Sequence, residues 1–69
     1  MVMIEAEVHI KSLEISRMVD WCCKNIGPEA VSRDTVDDDR PWFWNMNFRD
    51  TTFYFARGRD ATMFSLRWG

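Results

Sequence analysis

Glycine, proline and histidine are scarce in this chain of 69 residues, at three, two and one, and each shortage closes off a chemistry. Gly27 and Gly58 stand far apart, and neither belongs to a glycine-rich turn that opens a helix after a strand, so no phosphate cradle is expected. His9 is the single imidazole. A nucleophile relay built on it would need a cysteine or serine close by, and a zinc set would need more ligands than His9 and one distant cysteine pair can supply. The two cysteines, Cys22 and Cys23, are adjacent. On a helix their side chains diverge by about 100°, which rules out a disulfide between them and agrees with a reducing compartment. They fall in mid-helix, away from the helix N-terminus that would lower a thiol pKa, and read as buried, inert thiols. No apolar run approaches the roughly 18 residues of a membrane span, and no basic region leads into an apolar segment at the N-terminus. These absences predict a cytoplasmic protein that is not an enzyme, with no cofactor, no metal and no membrane association.

What is present suffices for one small domain, residues 1–69. Hydrophobic residues make up 46% of the chain and charged residues 29%, the balance of a globular chain rather than a disordered one. In so short a chain core burial and chain entropy nearly cancel, so every large apolar side chain matters. The formal net charge is −2, and it is unevenly spread. Glu29, Asp34, Asp37, Asp38 and Asp39 are opposed locally by Arg33 alone, whereas from residue 40 onward Arg40, Arg49, Arg57, Arg59 and Arg67 outweigh Asp50 and Asp60. An acidic connection therefore precedes a mildly basic, aromatic-rich half.

Residues 2–10 alternate, with Val2, Ile4, Ala6, Val8 and Ile10 against Met3, Glu5, Glu7 and His9, which predicts a half-buried strand. Ser12 is the expected N-cap of a helix over residues 13–26, where Ile15, Met18, Val19, Cys22 and Ile26 form one apolar stripe. Trp21 lies on the flank of that stripe. Gly27 and Pro28 supply the stop. Residues 28–40 lack periodicity and predict a long surface loop, with Ala30, Val31 and Val36 as the residues to fasten it to the body and with an acidic cluster, Asp34, Asp37, Asp38 and Asp39, that lacks the ligand spacing of a calcium loop. Every aromatic residue except Trp21 falls in residues 40–68. Their enrichment in Trp, Phe, Tyr and Thr predicts three further strands, 42–48, 52–57 and 61–68. The fold expected is α+β in two layers, one helix on a four-stranded, mostly antiparallel sheet in the order β-α-β-β-β. Parity puts Trp42, Trp44, Met46, Phe48, Phe53, Phe55, Phe64, Leu66 and Trp68 under the helix. The other face would carry Glu5, Glu7, His9, Phe43, Asn45, Asn47, Arg49, Tyr54, Met63, Ser65 and Arg67.

One helix covers one sheet face, and the other stays free to recognise something. Phe43, Asn45, Arg49, Tyr54 and Arg67, with Trp21 as an outlying member, are the candidate partner-binding residues, because exposed aromatics flanked by arginine and asparagine are the usual anchors of an interface. The same face resembles in kind a platform for single-stranded RNA or DNA, although Glu5 and Glu7 on it would repel phosphates. A protein partner is therefore expected first, association between copies second, and nucleic acid third.

The segment Phe53-Tyr54-Phe55, followed by Asp60-Ala61-Thr62-Met63-Phe64-Ser65-Leu66-Arg67-Trp68 and preceded by a tryptophan-containing helix ending in Asn25-Ile26-Gly27-Pro28, resembles small tailed-phage proteins of uncharacterised role. The resemblance spans about half the chain and rests on structural positions. It implies an accessory protein made in an infected bacterium, acting by binding and redirecting a host or viral protein. It implies no catalytic residue.

Overall fold

The N-terminal alternation ends in a strand, β1 (Ala6–Ile10), and the helical stripe in a helix, α1 (Ile15–Asn25). The computed structural model describes residues 3–11, 14–46 and 48–68; the expectations for Val2, Ser12, Leu13 and Asn47 lie outside them. Met18 and Cys22 of α1 are buried, with Ile15, Val19, Trp21 and Ile26 packed around the same core. Gly27 stops the helix with φ at 145°, a conformation that L side chains rarely adopt, and a Cβ there would stand 3.3 Å from the Pro41 ring. Its carbonyl accepts a 2.7 Å bond from the Trp42 indole, which fastens the end of α1 to the next strand.

Strands β2 (Trp42–Met46) and β3 (Thr51–Phe55) follow, and the sheet runs β1-β3-β2 with both pairings antiparallel. The registers align Ala6, Phe55 and Trp42 in one row, then Glu7, Tyr54 and Phe43, then Val8, Phe53 and Trp44, then His9, Thr52 and Asn45. Alternate rows belong to alternate faces. One face, which also takes the row Ile10, Thr51 and Met46, is thus apolar but for Thr51 and carries the buried Trp42, Phe53 and Phe55.

The fold is α+β, as expected, but its last element corrects the sequence reading. Residues 61–68 do not form a fourth strand; Gly58–Trp68 is a second helix, α2, so the order is β-α-β-β-α. Phe64, Leu66 and Trp68 suggest a strand by parity, whereas Ala61, Phe64 and Trp68 fit a helical stripe equally well. The structure chooses the second. Ala61 and Phe64 are buried, Trp68 packs against the core, and Leu66 is 84% exposed. The Phe64 ring lies 4.6 Å from that of Phe53 and 5.3 Å from that of Phe55, closing the aromatic core between α2 and the sheet. Both helices thus cover the same sheet face. Met46 and Phe48, also expected inside, are exposed at the end of the β2–β3 hairpin.

The acidic connection is more ordered than a free loop. Glu29 forms an isolated parallel bridge with Trp42, and Ala30 N–H donates to the Trp42 carbonyl at 2.7 Å. A 3-10 turn, Arg33–Thr35, is capped reciprocally with Ser32. Ala30, Val36 and Ala56 form a second buried cluster against Ile4 and Phe43.

Candidate interaction surface

The sheet face away from the helices is built from two rows. Glu7, Tyr54 and Phe43 form one; His9, Thr52 and Asn45 form the other. The Phe43 and Tyr54 rings stack across the strands with centroids 6.3 Å apart and planes at 20°, and both remain half-buried. Arg33 places its guanidinium 5.3 Å from the Tyr54 ring centre. Phe43 packs as well against Val36 and Ala30, so the connection covers one end of this face. At the other end Thr52, buried at 4%, shares a 3.0 Å hydrogen bond with His9 Nδ1. His9 Nε2 lies 3.7 Å from Glu7, and Nδ1 lies 3.8 Å from Asp50. Asn45 is exposed in the same row.

Of the expected binding residues, Phe43, Asn45 and Tyr54 therefore share one surface. The others go elsewhere. Arg67 belongs to α2, where its guanidinium lies 4.3 Å from the Trp68 ring centre. Met63 and Ser65 leave the sheet face with it. Trp21 meets Phe64 edge-on at 6.1 Å in the helical layer. Trp21 and Arg67 do come together, in a groove of about 280 Å³ lined also by Arg17, Asp20, Lys24 and Trp68. Arg49 is exposed at the hairpin bend, off the strand rows. The helices carry Arg17, Lys24, Arg59 and Arg67 against Asp20 and Asp60, with Lys24 paired to Asp20 at 3.0 Å, so the helical side has a small excess of positive charge while the connection is acidic.

Asp37, Asp38 and Asp39 form a tight turn. Asp37 Oδ1 accepts from the backbone amides of Asp39 and Arg40, both at 2.9 Å, which leaves Asp38 and Asp39 exposed. Arg40 reaches back to the Glu29 carbonyl at 3.1 Å. Among the described residues no group of three or more His, Cys, Asp or Glu is gathered in a way that could hold a metal ion.

Two further expectations change. Cys22 is buried, but Cys23 is exposed. Burial pushes the Cys22 thiol up to about 12 from 9.0, with the charges of Cys23, Asp60 and Glu29 adding to the effect. Gly58 opens α2 as a lone glycine, not within a glycine-rich turn, and its amide is occupied, donating to Glu5 Oε1 at 3.0 Å. Glu5 thus acts as a cap for α2, not as part of the free sheet face. Among the described residues no helix is long and apolar enough to cross a membrane.

No family model, curated protein or solved structure matches this chain.

Proposed function

We propose that the chain is a non-enzymatic protein-interaction module, which engages its partner through the helix-free sheet face and the acidic connection. One observation carries this reading: Phe43 and Tyr54 stack as a pair that the chain only half covers, with exposed Asn45 and His9 in the adjoining row. Amphipathic aromatics edged by directional polar groups are what interface centres are made of. Exposed Asp38 and Asp39 add negative charge, which favours a partner surface bearing lysine or arginine. The phage resemblance supplies a setting, an accessory protein that binds and modulates a host or viral protein inside the bacterial cytoplasm.

The nucleic-acid alternative draws less support. Arg67, one of the cations it needs, belongs to α2, and Glu7 shares the row of the stacked rings.

The test is affinity capture from expressing cells with two baits, the natural chain and a Tyr54→Thr, Asp38→Lys, Asp39→Lys variant. Threonine keeps strand propensity at position 54, and Asp37 is left to hold the turn. A partner held by the natural chain should be lost at least about tenfold with the variant, the equivalent of a single well-placed anchor. Equal capture by both baits would remove the assignment.

A further inference from the structure

The two edges of the sheet differ in how they are guarded. Ala56 N–H donates to the Pro41 carbonyl at 2.8 Å, and the strict alternation of an antiparallel ladder then turns the backbone groups of Phe43 and Asn45 toward β3 and those of Trp42, Trp44 and Met46 outward. The Ala30 amide bonded to the Trp42 carbonyl agrees with this assignment. On β1 the outward positions are Glu7 and His9, and charge at such positions is a common defence against strand pairing. On β2 the outward positions past Trp42 are Trp44 and Met46, in a strand WFWNM that contains no charge, proline or bulge. Met46 itself is 59% exposed, and Phe48 just past the strand 107%.

We infer that β2 pairs antiparallel with β2 of a second copy of this chain, joining two sheets edge to edge. The occupant follows from complementarity. A neutral, apolar edge matches itself, whereas pairing β2 with the β1 edge of another copy would set Glu7 and His9 against Trp44 and Met46, leaving the charges beside apolar side chains. Like edges joining like edges make a closed two-fold dimer and not an open sheet. The register that uses both outward residues is determined. Trp44 of each copy exchanges backbone bonds with Met46 of the other, Asn45 faces Asn45 on the two-fold axis, and the Trp42 carbonyl stays with Ala30. Trp44 and Met46 side chains then meet across the junction, an aromatic–thioether contact. The paired sheet also joins the two helix-free faces into one wider surface. The inference does not depend on the proposed function, since it concerns the edge and not the face.

The experiment reads mass and cross-linking separately. Sedimentation equilibrium of the natural chain should show the mass rising with concentration toward twice 8.3 kDa. Met46→Pro removes an outward amide and no ladder bond, and should hold the mass at the monomer value while circular dichroism shows the fold intact. In a Cys23→Ser background, Asn45→Cys should form a disulfide-linked dimer on mild oxidation, because residues facing each other at a non-hydrogen-bonded site stand about 4.5 Å apart at Cα. Glu7→Cys on the other edge should form no disulfide-linked dimer under the same oxidation. A natural chain that is monomeric throughout overturns the inference. So does a folded Met46→Pro variant that still dimerises, or equal cross-linking through Glu7→Cys.

Discussion

Burial removes Cys22 from thiol chemistry: the side chain is inside the aromatic core, and its thiol is pushed up to about 12. Cys23, one residue on, faces solvent. A thiol reagent at neutral pH should modify Cys23 and spare Cys22 until the chain is denatured, a difference that mass spectrometry of the labelled peptides would read directly. The pH dependence has a definite sign. Below pH 9.0 both the folded and the unfolded chain keep the Cys22 proton, and the full contribution to stability is present. Between 9.0 and about 12 the unfolded chain releases it while the folded chain holds it, so stability should fall as pH rises through that window. A Cys22→Ala variant should lose that part of the alkaline slope in urea midpoints measured over the same range.

At the scale of elements, α2 is the instructive case. Its N-terminus is held by a carboxylate from far back in the chain, Glu5 bonding the Gly58 amide, and Asp60 adds a second acid in the first turn, 3.3 Å from Arg57. Negative charge near exposed helix amides is favourable. Replacing Glu5 by alanine should cost about 1 kcal/mol, the usual value of a lost cap, and glutamine should recover part of it; urea unfolding would give both numbers. The same contact explains why the sequence reading failed here. Local patterning of Phe64, Leu66 and Trp68 is ambiguous between periods of 2 and 3.6, and the capping group lies outside any local window. Ala61 and Asp60 just after Gly58 were the signals that favoured a helix. Elsewhere one period dominates, and β1, α1, its stop at Gly27, β2 and β3 were all legible. Phe43, Asn45 and Tyr54 could be grouped because strand parity held there, while Arg67 was misplaced with the helix that carries it. Ala30 and Val36 could be read as fastening the connection to the body, whereas Val31, grouped with them, is exposed; that they would meet Phe43 was not legible, since the stretch has no periodicity.

For the molecule as a whole, β3 is the structural centre. It pairs on both sides, and Phe53 and Phe55 are fully buried beneath α2. Native-state hydrogen exchange should find the β3 amides the slowest in the protein and that of exposed Asp38, in the acidic turn, among the fastest, because protection follows burial and hydrogen bonding. Comparable exchange in the two segments would contradict this organisation. The strand order β1-β3-β2 has another consequence, for the chain during its own synthesis. Both outer strands leave the ribosome before the one that unites them, and α2, which seals the aromatic centre, comes later still. A nascent chain halted before Thr51 should therefore be open to proteases along its whole emerged length, and resistance should arrive late and abruptly, once β3 and α2 have cleared the exit tunnel.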